Sequence, residues 1–300
     1  MKQDVKMMGT TISLTIHHQN AETLLADSFK KLKEYELIFS ANDEDSDLMK
    51  LNRNAGIQSI KVHQQLFELI SIGKHLSCQP SSKLNIAIGP LVKAWRIGFP
   101  NARIPESKEI ADLLLLSDPE KIILNEESHH VYLTEKEMEI DLGCLAKGYI
   151  ADLLKAFLVN EGVSSALINL GGNIVTIGHN EKTGKPWSIG LQSPFKERKN
   201  HEFVLPLVDS SIVTSGVYER EFTLEGKHYH HILDPKTGYP IETNIQSLSI
   251  ISEQSVMGEV YTSMLFGEDI ETALSIMDST LGIEGIIVSK ANVFKSKGIN

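Results

Sequence analysis

Cysteine is scarce. Cys78 and Cys144 are the only two in 300 residues, too few for a disulfide framework or a CxxC-type zinc site. Long apolar runs are missing too, and no stretch approaches the ~18 residues that a membrane-spanning helix needs. Basic residues are outnumbered, 29 Lys and Arg against 39 Asp and Glu. They gather into no patch or stripe that would bind a phosphate backbone, which argues against nucleic acid as a partner. The opening Met1-Lys2-Gln3-Asp4-Val5 has neither the apolar core of a signal peptide nor an early cysteine for lipid attachment. This predicts a cytoplasmic protein as the chain stands, or a membrane-anchored extracytoplasmic one if a leader has been removed. Repeats, low-complexity tracts and Pro/Gly/Ser linkers are also absent, so one domain over residues 1–300 is the simplest expectation.

What is present is the composition of a globular protein, 41% hydrophobic and 23% charged with a net charge of -10. Ile12, Leu14 and Ile16 alternate with polar residues, a period of two that predicts a half-buried strand. From Asn20, Leu25, Phe29, Leu32 and Leu37 recur at helical spacing, and shorter helices are predicted at 46–51 and around Leu66, Leu69 and Ile70. After about residue 120 short β-like runs take over: IILN, HVYL, ALINL, NIVTIG, WSIGLQ, FVLPLV, SIVTS, HHIL and SLSIIS. Helices at 145–159 and 256–266 interrupt them. The expectation is α+β with antiparallel-rich sheets.

Several familiar motifs nearly occur. Gly178 to Lys185 reads GHNEKTGK, but five residues separate the glycines and Pro186 stands where a P-loop needs Ser or Thr. No GxGxxG follows a strand, and Ser215 lies in Thr214-Ser215-Gly216 rather than in a GxSxG elbow.

The segment Asp141-Leu-Gly-Cys-Leu-Ala-Lys147-Gly-Tyr is more informative. A strand-like EMEI leads into it and an amphipathic helix leaves it, so Asp141 and Lys147 can flank a polyanion at a helix start. The plainer reading is a strand-to-helix turn with Asp141 as cap and Lys147 in solvent. Gly171-Gly172 fit either a hairpin turn or a close approach of backbone to a cofactor. His230 and His231 open the HHILDPKTGYP segment, and in a strand they point to opposite faces, which argues against one shared metal. Glu259 and Ser263, four apart on the late helix, share a face and can hold a hard cation, or simply be solvated. Trp95 and Trp187 can stack on a ring system or fill the core.

Taken in order, these pieces resemble the ApbE family of FAD:protein FMN transferases. The matching segments are Met8-Gly9-Thr10, FSANDEDSDLMKLN (39–52), LNIAIGPLVKAW (84–95), DLGCLAKGY (141–149), ALINLGGNI (166–174), WSIGLQSP (187–194), TSGVYER (214–220) and HHILDPKTGYP (230–240). They span nearly the whole chain.

The resemblance implies an ApbE/T-fold-like flavin transferase architecture that grips FAD with the help of magnesium. It puts Met8 against the flavin ring. It also assigns Asn42, Lys83, Leu84, Asn85, Asp141, Lys147, Gly171, Gly172, Thr214, Ser215, Gly216, His231 and Ile232 to the FAD site. The Cys144 carbonyl, Glu259 and Ser263 become the magnesium ligands. The chain departs from the family pattern at Asn42, often tyrosine, at Asn85, which replaces an acid, at Cys144, often small, and at Glu259, an aspartate elsewhere.

On this reading FMN passes from FAD to a threonine of an acceptor flavoprotein and AMP leaves, with Lys147 offsetting charge and His231 accepting the threonine proton. The family's acceptor pattern, an Asp followed by Ser-Gly-Ala-Thr, is not found in this chain. The acceptor is therefore expected to be another protein. The alternatives are an FAD pyrophosphatase releasing FMN and AMP, or a non-catalytic FAD-binding protein.

Overall fold

The structure is a computed structural model that describes residues 1–80, 82–192 and 201–299; Ser193 and Pro194 of the WSIGLQSP segment lie outside the described residues. The chain opens with a hairpin of β1 (Lys2–Met7) and β2 (Thr10–Ile16), followed by α1 (Ala21–Phe39), α2 (Asp47–Asn52), β3 (Ile60–Lys61) and α3 (Gln64–Ser77). A 3-10 turn at 86–88 runs into α4 (Gly89–Trp95), and α5 (Ser107–Leu114), β4 (Ile122–Asn125) and β5 (His130–Leu133) precede α6 (Ala146–Asn160). Strands then dominate: β6 (Ala166–Leu170), β7 (Ile174–Ile177), β8 (Trp187–Gln192), β9 (His201–Leu207), β10 (Ser211–Gly216), β11 (Glu221–Leu224), β12 (Lys227–His230) and β13 (Ile245–Ser252). The chain ends with α7 (Ser255–Leu265), α8 (Ile270–Ser279), β14 (Glu284–Ser289) and β15 (Val293–Lys295).

The main sheet has eight strands in the order β1-β2-β6-β7-β10-β13-β14-β15, and its pairings are antiparallel. Ile12, Leu14 and Ile16 are fully buried, as the period of two predicts, and face a core shared with α1, α3 and α6. The helix α1 lays Leu24, Leu25, Leu32, Tyr35 and Phe39 on that core at helical spacing. Leu37, expected on the same stripe, is instead 50% exposed, because it sits two residues from both Tyr35 and Phe39. On the opposite side the β8/β9 hairpin packs Trp187, Ile189 and Leu205 against Ile212 and Ile286.

Two expected strands come out differently. The EMEI run is not a strand. Asn52 takes both the N–H and the carbonyl of Ile140, at 2.9 and 3.0 Å, and Asp141 N–H goes to the Ile86 carbonyl at 2.8 Å. These backbone groups thus find partners without a ladder. The HHIL strand stops at His230, so the argument from opposite strand faces does not apply to His231. Beyond it the chain bends into a turn in which Asp234 N–H donates to the Tyr239 carbonyl at 2.8 Å.

Both tryptophans fill cores. Trp95 is fully buried and its Nε1–H donates to the Gly238 carbonyl at 2.8 Å; Trp187 is 5% exposed.

Candidate active site

Met8 and Gly9 form the two-residue turn of the first hairpin, with φ of 53° and 70°, the positive values that a tight hairpin turn with the right strand twist requires. The turn is tied down by Met8 N–H donating to Glu36 Oε1 of α1 at 2.9 Å. Gly171 and Gly172 make the turn between β6 and β7. Because Ile12 pairs with Leu170, the two turns lie side by side. A Cβ on Gly171 would stand 2.3 Å from Thr10 Oγ1, so this position excludes any side chain.

Behind these turns α6 and α7 cross in backbone contact. Gly148 makes the contact possible: a Cβ there would lie 2.6 Å from the Ser255 carbonyl oxygen and 2.7 Å from Glu259 Cγ. Glu259 is 6% exposed. Its Oε1 accepts from Asn173 Nδ2 at 2.8 Å. Burial raises the Glu259 carboxyl above its usual range, opposed by the charge of Lys147, by Asn173 and by Gly148. Ser263 stands one turn on along the same face, and burial pushes the Cys144 thiol pKa far up. Cys144 is therefore a neutral thiol with its carbonyl as the stronger donor.

The donor chemistry fits a hard cation. Glu259 and Ser263 contribute oxygen, as does the Cys144 carbonyl, and the buried carboxylate is one that a positive charge would keep ionised.

Asp141 does not cap α6. Its Oδ1 accepts from Gly143 N–H at 2.7 Å, and the helix begins later, after Leu145. Burial raises its carboxyl, opposed by the Gly143 bond and then by the charges of Arg220 and Lys93. The α6 N-terminus is also less open than a free anion cradle. Ala146 N–H is taken by the Leu142 carbonyl, and the Glu259 side chain packs against Gly148.

His231 is half-buried. Its backbone N–H and its Nδ1 both lie 3.2 Å from the Arg220 carbonyl oxygen. Its pKa is pushed down to about 4, by burial first and then by the charge of Arg220, with His230 and Lys147 adding to it. Lys147 thus acts on both Glu259 and His231.

The remaining residues separate into near and far. Thr214 Oγ1 pairs with Ser249 Oγ at 2.8 Å, Ser215 is half-buried, and a Cβ on Gly216 would meet the Tyr218 ring at 2.7 Å. Ile232 packs on the core of β13 and α8 with its N–H on His230 Nδ1 and its carbonyl on Ile241. Lys83 forms a half-buried ion pair with Asp234 at 3.1 Å. Asn85 is a buried local cap, with Oδ1 on Ala87 N–H and Nδ2 on the Ser117 carbonyl, and Leu84 is 2% exposed. Lys83, Leu84 and Asn85 thus brace the loop and the α4 entry with these groups. Asn42 is exposed, and its N–H bonds locally to Ser40 Oγ.

A family model described as the ApbE family matches residues 8–287. The chain belongs to the ApbE family. It is 39% identical over 284 residues to the FAD:protein FMN transferase of Klebsiella pneumoniae (strain 342), covering 95% of this chain and 87% of that protein. It is 31% identical over 276 residues to the FAD:protein FMN transferase of Treponema pallidum (strain Nichols), covering 88% and 76%. The crystal structure of the ApbE protein from Thermotoga maritima superposes with a TM-score of 0.89 at 25% identity, over 99% of this chain and 97% of that one. The mixed helix and antiparallel-sheet architecture is therefore the ApbE one.

In this ApbE-family chain the sequence reading missed three residues that the fold brings to the site. Asn173 ends the LGGN turn and holds Glu259. Arg220 supplies the carbonyl under His231 and a charge beside Asp141. Asp152 reaches from α6 to the first turn of α7. The available signal was a polar residue inside each matching segment, or just past its end.

Proposed function

We propose that this chain is a magnesium-dependent transferase that moves the FMN half of FAD onto a threonine hydroxyl of an acceptor protein and releases AMP, working as one domain over residues 1–300. The observation that carries the reading is His231, held by the Arg220 carbonyl and kept neutral by burial and by the charges of Arg220, His230 and Lys147. The names of its relatives supply the reaction class.

A carbonyl can only accept, so the bond from His231 Nδ1 to the Arg220 oxygen requires the proton on Nδ1. Nε2 is left with the lone pair. In the reaction the threonine Oγ bonds to the phosphorus on the FMN side, its proton passes to His231 Nε2, and the bond to the bridging oxygen breaks. AMP departs with its phosphate. Lys147 offsets the negative charge that develops on the leaving group. Glu259, Ser263 and the Cys144 carbonyl would hold magnesium, which when bound neutralises diphosphate oxygens. Met8, Gly171, Gly172 and the 214–216 strand end are assigned to the flavin and its diphosphate.

The test is intact mass spectrometry of a peptide carrying Asp followed by Ser-Gly-Ala-Thr after incubation with the protein, FAD and magnesium. A gain of one FMN residue is expected, lost with EDTA. His231→Asn should slow the transfer by about 10²- to 10⁴-fold while FAD binding, read by flavin fluorescence, persists. Free FMN and AMP with an unmodified peptide would mean hydrolysis, and bound FAD without product would mean a carrier.

A further inference from the structure

We propose that Asp152 is a positioning residue for the cation subsite, locking α7 onto α6 so that Glu259 and Ser263 are held in register with Lys147. The inference rests on the magnesium reading above and concerns a side chain that makes no contact with the donor set itself.

Both helices begin without a cap of their own. The residues before α6 and α7, Leu145 and Gln254, make no side-chain cap bond, although the first N–H groups of a helix need partners. The start of α7 takes its cap from α6. Asp152 of α6 receives the Ser255 N–H on Oδ1 at 2.7 Å and the Val256 N–H on Oδ2 at 2.8 Å. Glu259 of α7 packs against α6 at Gly148, where a Cβ would stand 2.7 Å from Glu259 Cγ.

The backbones also touch at Gly148, where no side chain fits. The Asp152 carboxylate at one point and this close contact at another fix both the slide and the rotation of one helix on the other. Ser255, Glu259 and Ser263 are spaced at four residues and share a face. Holding Ser255 at the N-terminus therefore sets where Glu259 and Ser263 stand. Lys147 directly precedes Gly148, so the same clamp sets its distance to them.

An aspartate suits the task because two N–H groups need two oxygens, and a helix N-terminus favours negative charge. Asparagine supplies one oxygen and turns an N–H toward a donor. Ordinary capping would affect stability alone, whereas a positioning role reaches the metal.

The experiment uses the full chain, wild type and Asp152→Asn, with FAD at saturation and without acceptor. Mn²⁺, an oxygen-seeking spectroscopic substitute for magnesium, is titrated by electron paramagnetic resonance. Loss of a group bonded to a ligand costs about 10- to 100-fold in metal affinity; Asp152 acts one step further out, so the Mn²⁺ Kd of D152N should rise by about 10-fold. The magnesium concentration for half-maximal FMN transfer should rise in parallel, and turnover should recover at saturating metal. Asp152→Glu keeps two oxygens and should recover part of the affinity; it also carries the comparison if D152N fails to fold by circular dichroism. Turnover lost with the metal requirement unchanged, or no change at all, would overturn the role of Asp152. Wild-type protein that binds no Mn²⁺ and transfers FMN without metal would overturn the cation reading instead.

Discussion

His230 and His231 are adjacent and chemically identical, and their surroundings separate them. His230 Nε2 lies 3.0 Å from the Ile241 carbonyl and its Nδ1 accepts from Ile232 N–H at 3.3 Å. Both its nitrogens are committed to holding the turn. His231 has its Nδ1 on the Arg220 carbonyl, which leaves Nε2 as the nitrogen that can accept a proton. Its pKa of about 4, set by burial and by Arg220, His230 and Lys147, lies below the ordinary 6.5. A lowered histidine pKa means that the neutral, proton-accepting form persists as pH falls from 6.5 toward that value. The acid limb of kcat/KM, which reports the free enzyme, is therefore expected near pH 4 in a pH-rate profile. A limb near 6.5 would remove His231 as the base. The same shift has a stability side: below pH 6.5 the unfolded chain binds this proton before the folded one, so the group destabilises the fold as pH drops toward 4.

At the scale of elements, the decisive feature is the crossing of α6 and α7 rather than either helix alone. Glycine in a helix interior is normally unfavourable relative to alanine. At position 148 the order reverses, because a methyl group there would meet the Ser255 carbonyl and the Glu259 side chain. Gly148→Ala should accordingly lower stability by about 1–3 kcal/mol, the cost of overpacking, measured by urea unfolding, and should reduce FMN transfer as well. An unchanged midpoint would show that the helices separate without cost.

The loop that carries His231 is braced at this scale too. Trp95 holds the Gly238 carbonyl and Lys83 pairs with Asp234, so the LNIAIGPLVKAW segment and the lysine just before it brace the HHILDPKTGYP segment.

Across the whole molecule, the eight-stranded sheet is the frame on which both glycine turns and both site helices are mounted. Leu14 sits mid-strand in β2, next to the edge strand β1, fully buried between the sheet and the helices of the largest core. Leu14→Ala should destabilise the protein by about 2–5 kcal/mol, read as a lower denaturant midpoint with an unchanged slope. A change in slope would mean that the sheet and the helical layer unfold separately.

Local chemistry was enough to determine much of this protein. The period of two at Ile12, Leu14 and Ile16, the helical spacing in α1 and α6, and the Met8-Gly9 and Gly171-Gly172 turns are properties of short stretches, and such stretches report their own backbone preferences. The matching segments, read in order, were enough to place the chain among its relatives. The sequence could not show which polar side chains close on one another across long separations. Asn173 meets Glu259 across 86 residues and Asp152 meets Ser255 across 103. Nor could it show that the strand carrying His230 would stop before His231, or that Asn52 would satisfy the backbone of Ile140 in place of a neighbouring strand. Those outcomes depend on where distant donors and acceptors come to rest when the chain packs, and each buried polar group takes the partner that the tertiary fold brings within reach.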